Sequence, residues 1–350
     1  MKAIRGLVQF ILLVTAIVWA SPTPAQSPHA LPKVRVVATG GTIAGEQKEP
    51  GTFGGYEVKK TVSEIVSLVP NVQRYADVEA EQFSNVGSPG IMPEHWLALS
   101  RRINQLLRER PDLSGVVVTH GTSRLEETAF FLHLTIKSDR PVVVVGAQRP
   151  PTGISPDGPI NLLSALRVAA APESRGKGVT VVMDDRILSA RDATKVYARA
   201  GGFEGAEMGT LGIVSTGGVE FFYQPVKKHT LAADFDVSTV KALPRVGISY
   251  SYAGAEGVAD LEAKAVIVAT TGLAPGEQAY YAGLRKRGII VATTYPSGQQ
   301  VASSAQPSQS DTSPIIVIKH LMPTKARILM MLALTKTQDP SEIQKIFDSY

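Results

Sequence analysis

Two short segments of the chain place a threonine directly after a glycine turn that ends an apolar run. They are Thr39-Gly-Gly-Thr42 and Thr119-His-Gly-Thr122. Glycine allows positive φ and close backbone approach, so the hydroxyl and the neighbouring N–H groups can face a bound carbonyl. A threonine hydroxyl becomes a nucleophile when a neighbouring base takes its proton. The alternative for each segment is an ordinary turn in which the threonine only caps a helix.

A lysine in a third segment can supply such a base. The segment runs from Ser189 to Lys195 and follows another apolar run. Burial beside a hydroxyl disfavours the ammonium, which lets a lysine act as a base near neutral pH. The alternative is a solvated lysine at the surface.

A glycine-rich loop follows the first threonine. It extends from Glu46 to Gly55 and ends at Tyr56. Its glycines suit a segment that changes conformation, so the loop is predicted to be a mobile lid.

A helix is predicted directly after the second threonine. Its N-terminus carries partial positive charge, which favours anions close to Thr122. The structural alternative is that Thr122 or Ser123 caps this helix, with Glu126 completing a capping box from Ser123.

Strand-like and helical patterns alternate along the chain, which predicts an α/β fold with mainly parallel sheets. Eight apolar runs are candidate strands, namely Val34–Thr39, Gly115–Thr119, Pro141–Ala147, Val179–Asp184, Arg245–Tyr250, Ala265–Thr270, Gly288–Thr294 and Pro314–Lys319. Helical spacing of apolar residues predicts helices over Pro93–Arg108, Arg124–Thr135 and Lys325–Leu334. A last helix is predicted to begin at Asp339 as its cap, with Pro340 in the first turn. Ligands of open α/β sheets bind at the carboxyl ends of the parallel strands, and both threonines follow such ends.

The periodicity breaks once in the second half of the chain. We therefore expect two open α/β domains, a larger N-terminal domain at 31–216 and a smaller C-terminal domain at 245–350, joined by a linker at 217–244.

Composition narrows the class of protein. The chain has 350 residues, of which 44% are apolar and 19% charged, as is typical of a globular enzyme. The lack of cysteine excludes disulfides, thiolate metal sites and a cysteine nucleophile. Loss of Lys2 and Arg5 with a leader would lower the formal charge from +5 to +3. With no basic run, this charge argues against nucleic acid as a partner.

Residues 1–25 are typical of a signal peptide. Two basic residues precede the apolar run Leu7–Ala20, and small residues suit cleavage after Ala20 or Ala25. The run is shorter than the roughly 20 residues of a membrane-spanning helix, so no stable membrane association is expected after cleavage. An uncleaved anchor is the alternative. A cysteine-free exported chain indicates a periplasmic or secreted location.

The three segments, read with Ser155–Leu162 and Lys325–Leu334, closely resemble the bacterial L-asparaginase family, and its exported type in particular. The similarity runs from Lys33 to Tyr350. It implies a two-domain α/β fold and a homotetramer built from dimers, with active sites at subunit interfaces. The implied reaction is hydrolysis of a small side-chain amide to a carboxylate and ammonia, with no metal or organic cofactor.

The resemblance also implies roles for individual residues. Thr42 matches the family's nucleophile, and Tyr56 matches the tyrosine that supports it. Thr122 matches the second active-site threonine, and Lys195 the lysine beside it. Ser88 matches the serine that binds the substrate's α-carboxylate.

This sequence departs from the family pattern where the substrate's α-amino group is held. Ser123 stands where the family has an aspartate, and Pro89 where it often has glutamine. The family's Gly-Asn-Gly-Asn is replaced by Thr271–Gly276, and Val291–Ser310 contains no acidic residue to serve a neighbouring subunit. The resemblance implies hydrolysis of L-asparagine to L-aspartate and ammonia, and these departures favour as the alternative an amidase of the same family that retains the nucleophile and base but takes substrates lacking a free α-amino group.

The sequence leaves other classes of protein as alternatives. A two-lobed periplasmic solute-binding protein could use a weakly active hydrolase fold. A Ser-His-Asp hydrolase is disfavoured because Gly-x-Ser-x-Gly is absent and His120 is the only histidine inside a motif. Metal-dependent hydrolysis is disfavoured because the chain has no His-Glu-x-x-His.

Overall fold

Two separate sheets organise the chain. The computed structural model describes residues 30–52, 55–298 and 314–350. The predicted signal peptide, Gly54 of the lid and most of the acid-free stretch after Val291 lie outside these ranges. The described residues from Leu31 onward belong to one compact unit. No helix in the described ranges is long and apolar enough to cross a membrane.

The strands are short and mostly buried. In chain order they are β1 Lys33–Gly40, β2 Gly45–Gln47, β3 Tyr56–Val58, β4 Asp77–Val86, β5 Leu113–Thr119, β6 Val142–Val145, β7 Val179–Met183, β8 Arg186–Ser189, β9 Thr194–Lys195, β10 Phe203–Glu204, β11 Gly212–Ser215, β12 Gly218–Phe221, β13 Val246–Tyr250, β14 Ala265–Ala269, β15 Ile290–Thr294 and β16 Ile316–Val317. All eight predicted strands are present.

Seven α-helices lie between and after these strands in the described ranges. They are α1 Val62–Ser67, α2 Pro93–Glu109, α3 Leu125–Thr135, α4 Gly158–Ala170, α5 Pro275–Lys286, α6 Pro323–Ala333 and α7 Pro340–Ser349. As predicted, Asp339 caps α7, where its side chain accepts the N–H of Glu342 at 2.9 Å.

The larger sheet has eight strands in the order β12-β11-β8-β7-β6-β5-β1-β4. Strands β4, β1, β5, β6 and β7 are parallel, and the remaining three are antiparallel to their neighbours. The smaller sheet, β13-β14-β15-β16, is entirely parallel. The predicted α/β class with a larger and a smaller parallel sheet is therefore confirmed. Strand β12 lies inside the range expected to be a linker.

The edge strand β4 had no counterpart among the predicted strands. Its sequence carries charged residues that pair with arginines on neighbouring elements. Glu79 accepts from Arg110 at 2.8 Å and also contacts Arg35, while Glu81 accepts from Arg102 at 2.7 Å. The apolar-run criterion missed β4 because these ion pairs, rather than apolar burial alone, cover the edge of the sheet.

Three apolar clusters form the core around the two sheets in the described ranges. One cluster fills both faces of the larger sheet with the valines of β1, β5, β6 and β7. A second cluster joins α2 and α3 to the helices of the smaller sheet, through residues such as Phe131, Phe235 and Ile328. The second cluster therefore packs α6 of the smaller sheet against α3 of the larger sheet.

Candidate active site

Three loops meet at the carboxyl edge of the larger sheet. Strand β1 lies between β4 and β5, and the loops after these strands carry Thr42, Ser88 and Thr122. A Cβ on Gly41 would lie 2.2 Å from the Cα of Gly121, and a Cβ on Gly121 would lie 2.5 Å from the Cβ of Ser88. Only glycine allows loops to touch so closely, so these two residues bring the three side chains together.

Thr42 begins a short 3-10 turn directly after β1. The preceding Gly40 and Gly41 have φ of 108° and 86°, which explains the double glycine. The Thr42 side chain is buried, and its Oγ1 lies 2.7 Å from the hydroxyl of Tyr56. Tyr56 opens β3, which pairs with β2 as an antiparallel hairpin, and it is 38% exposed. The hairpin therefore places a phenol over the Thr42 hydroxyl.

Thr122 and Lys195 form the second close pair. The Nζ of Lys195 donates to Oγ1 of Thr122 at 2.7 Å, although 73 residues separate them. Thr122 is buried and Lys195 half-buried. Burial lowers the pKa of the Lys195 ammonium, and the carboxylate of Glu126 partly opposes that shift. The lysine is thus no solvated surface residue, and its neutral form is more accessible than that of a free lysine.

The start of α3 lacks the capping box that was the structural alternative for this segment. The N-cap is Arg124, and no side chain accepts a helix N–H there. The Glu126 carboxylate instead accepts the backbone N–H of Lys195 at 2.7 Å. The alternative in which Thr122 or Ser123 caps α3, with Glu126 completing a capping box, is therefore wrong, because the Glu126 carboxylate binds a backbone N–H of another segment.

Ser88 is buried, and both functions of its hydroxyl are in use. It donates to the carbonyl oxygen of Gly121 at 2.6 Å and accepts the N–H of Arg124 at 2.9 Å. Ser123 and Pro89 are exposed near it along the chain. The structure brings Ser88 to the site but binds its only hydroxyl hydrogen internally.

His120 binds the carbonyl oxygen of Gly121, which also accepts from Ser88. The Nε1 of Trp96 donates to Oγ1 of Thr128 at 3.0 Å, so the Thr128 hydrogen is free to bond Nε2 of His120 at 2.9 Å. The remaining Nδ1–H then donates to the carbonyl of Gly121 at 2.8 Å. Complete burial lowers the pKa of His120 to about 4. This histidine is a neutral structural group and does not fit a Ser-His-Asp triad.

The carboxylates at the start of α3 are committed to other partners. Glu127 binds the guanidinium of Arg124 at 3.0 Å, and burial raises the pKa of Glu127. Asp157, on the loop before α4, accepts the N–H groups of Gln148 and Arg149. Across the part of the chain that the structure describes, no group of three or more potential metal ligands was found.

Gln148 was missed by sequence reasoning. Gln148 lies in the loop after the parallel strand β6, and its Oε1 lies 3.5 Å from Oγ1 of Thr122. The rule that ligands bind after parallel strands would have found it, because the segment Gly146–Gln148 follows an all-valine strand.

The fold and the site define a two-sheet α/β enzyme with hydroxyl and amine groups gathered where parallel strands end. A family model described as "Asparaginase, N-terminal" matches residues 33–227, and one described as "Glutaminase/Asparaginase C-terminal domain" matches 245–347. The chain belongs to the asparaginase family, and it is an amidohydrolase of that type.

Curated relatives and a solved structure agree with this assignment. The chain is 40% identical to L-asparaginase 2 of Bacillus subtilis, over 94% of this chain and 90% of the relative. It is 38% identical to the glutaminase-asparaginase of Pseudomonas fluorescens, over 97% and 96%. The crystal structure of a probable cytoplasmic L-asparaginase from Campylobacter jejuni matches with a TM-score of 0.84 and 37% identity, covering 91% of this chain and all of that one.

Proposed function

We propose that this enzyme hydrolyses the side-chain amide of a small substrate through an acyl-enzyme formed on Thr42. One observation carries the proposal. Thr42 with Tyr56 and Thr122 with Lys195 each have a 2.7 Å contact, and the backbones of Gly41 and Gly121, next to the two threonines, touch. Family membership supports the same chemistry.

The reaction follows from these contacts. The Oγ1 of Thr42 attacks the amide carbon while its proton passes to the neighbouring hydroxyl and amine groups, and the C–N bond then breaks. The nitrogen leaves as ammonia with the proton returned to it, and an ester to Thr42 remains. Water then hydrolyses the ester, which releases the carboxylate and restores the threonine. Lys195 in its neutral form accepts the proton through Thr122, and Tyr56 orients the attacking hydroxyl.

L-Asparagine is the first substrate to test, since the relatives are named L-asparaginases and glutaminase-asparaginases. Ammonia release should be measured for wild type and for Thr42→Ala. We expect turnover to fall by about 10⁴-fold or more, because no nucleophile remains.

Thr61→Ala provides the matched control. Thr61 caps α1 with a complete capping box, so its loss should cost about 1 kcal/mol of stability and leave turnover unchanged. A folded Thr42→Ala enzyme with normal turnover would show that Thr42 also is only a structural residue. Absence of ammonia release from every amide by the wild type would favour a solute-binding role instead.

A second substrate class has an observation of its own. Ser123 offers no carboxylate to an α-ammonium, and the Ser88 hydroxyl is bonded internally. These features support an amidase whose substrate has an absent or acylated α-nitrogen, such as succinamate or an N-acyl asparagine.

The assembly, the domain bounds and the location belong to the same proposal. A homotetramer built from dimers is supported by family membership and by exposed apolar side chains at Met208, Phe222 and Val226. The domain bounds at 31–216 and 245–350 and export by residues 1–25 rest on the sequence pattern. Light scattering of the purified protein tests the tetramer, and N-terminal sequencing of the periplasmic or secreted protein tests cleavage after Ala20 or Ala25.

A further inference from the structure

Lys325 is a buried lysine that the proposed reaction does not use. It lies in the first turn of α6 and is 0% exposed. Its Nζ donates to the carbonyl oxygen of Arg191 at 2.8 Å and to that of Ala193 at 2.5 Å. Both carbonyls belong to the segment that leads into Lys195. A side chain from the C-terminal helix thus binds the backbone beside the candidate base.

The chemistry of these contacts is unusual for a buried cation. In the described ranges no carboxylate oxygen forms a salt bridge with Lys325. A buried ammonium without a close carboxylate is costly, and only its hydrogen bonds offset that cost. An apolar residue would fill this part of the core at lower cost, so the amine is expected to serve the two carbonyls.

Glu126 binds the same segment from the opposite end. Its Oε2 accepts the backbone N–H of Lys195 at 2.7 Å, and it projects from the first turn of α3, just after Thr122. Residues 191–195 are therefore held by α6 through two carbonyls and by α3 through one N–H. The Lys195 Nζ reaches Thr122 from the end of that segment.

We propose that Lys325 and Glu126 are positioning residues that together hold the segment Arg191–Lys195 so that the Lys195 amine stays on Thr122. This inference rests on the proposed function, in which Lys195 is the base. It adds that the C-terminal helix α6 takes part in building the proton relay of the N-terminal sheet.

Different charged groups act on the amines of Lys195 and Lys325. Glu126 is the charged group that acts on Lys195, and its carboxylate favours the ammonium. Around Lys325 stand Glu126 and Asp192, which favour its charge, and Arg191, which disfavours it; burial lowers its pKa to about 8. A neutral amine retains two hydrogens for its two carbonyls, so deprotonation of Lys325 leaves the contacts intact.

Four variants test the proposal by ammonia release, with kcat and KM determined from pH 5 to pH 10. Lys325→Met removes both donors with little change in volume. Glu126→Ala removes the acceptor, whereas Glu126→Gln retains an acceptor oxygen without the charge. Lys286→Met, an exposed helical lysine of the same domain, is the matched control.

We expect Lys325→Met and Glu126→Ala to lower kcat by about 10²-fold with KM within about threefold, because misplacement of a base affects the chemical step. Glu126→Gln should restore most of kcat. Its rate profile should rise at lower pH than the wild type, by about 0.5 unit or more, because loss of the carboxylate lowers the pKa of Lys195. Lys286→Met should match the wild type.

Lys195→Met distinguishes a failure of the proposed function from a failure of the positioning proposal. Normal turnover in Lys195→Met overturns the proposed function. Loss of turnover in Lys195→Met with wild-type kcat in Lys325→Met and Glu126→Ala overturns the positioning proposal alone. If Lys325→Met does not fold, the Glu126 pair decides, and an unshifted pH profile with unchanged kcat then refutes the proposal.

Discussion

The candidate site has two halves that differ in how their polar groups are used. In the reacting half, Thr42 pairs with Tyr56 and Thr122 with Lys195, and the loops that carry the two threonines touch. In the half expected to receive the rest of the substrate, the Ser88 hydroxyl is bonded to the backbone of Gly121 and Arg124. The first half therefore presents reactive groups, while the second half presents few unused ones.

The reacting and recognition halves of the site also differ in their charged groups. Burial favours a neutral amine at Lys195, which suits proton transfer. In the other half, Glu127 is held by Arg124, and Ser123 stands where the resemblance leads us to expect a carboxylate. The two halves nevertheless share the loop after β5, which carries both Thr122 and Ser123, so changes at position 123 test whether recognition can change without the chemistry.

Among the variants that test the difference between the two halves, Thr122→Val is expected to cause the largest loss of turnover. Thr122→Val retains the shape of the side chain and removes the hydroxyl to which the Lys195 amine donates. Turnover should fall by about 10²- to 10⁴-fold, the usual contribution of a positioned acid or base, with KM nearly unchanged. Steady-state ammonia release measures both constants. A fall in affinity alone would move Thr122 into the recognition half.

Substrate choice tests the recognition half directly. A charged α-amino group without an acceptor loses roughly 10²-fold in binding relative to a paired one. We expect kcat/KM for succinamate to equal or exceed that for L-asparagine, and an N-acyl asparagine to be accepted. The same assay with L-glutamine and D-asparagine completes the series. A micromolar KM for L-asparagine with a strong preference over succinamate would show that other residues bind the ammonium.

A smaller effect is expected at Tyr56, beside the Thr42 hydroxyl of the reacting half. Tyr56→Phe removes the hydroxyl that lies 2.7 Å from Oγ1 of Thr42 and retains the ring. One hydrogen bond of this kind is worth about 1 kcal/mol, so kcat should fall about fivefold. Tyr75→Phe, which removes the hydroxyl of another exposed tyrosine outside the site, serves as the matched control. Unchanged kcat would mean that Tyr56 only covers the site.

The sequence predicted the parts of this site that obey local rules. Strand ends, glycine turns and the cap at Asp339 depend on neighbours along the chain, and the structure has them where expected. The hydrogen bond from Lys195 to Glu126 joins residues 69 apart, so the local capping rule assigned that carboxylate to the wrong partner. The ion pairs of β4 are long-range in the same sense, which is why a charged edge strand was not predicted.

The smallest expected effect tests whether the two halves are electrostatically independent. Ser123→Asp introduces a carboxylate next to Thr122 in the chain. A carboxylate near Lys195 favours the ammonium and raises its pKa, so the base becomes neutral only at higher pH. The rising limb of kcat/KM should therefore move to higher pH, by up to about 1 unit, while KM for L-asparagine falls because the α-ammonium gains an acceptor. Profiles of the wild type, Ser123→Asp and the neutral Ser123→Asn separate charge from shape. A lower KM without a shifted limb would mean that position 123 serves recognition alone, and a limb shifted to lower pH would contradict the assignment of Lys195 as the base.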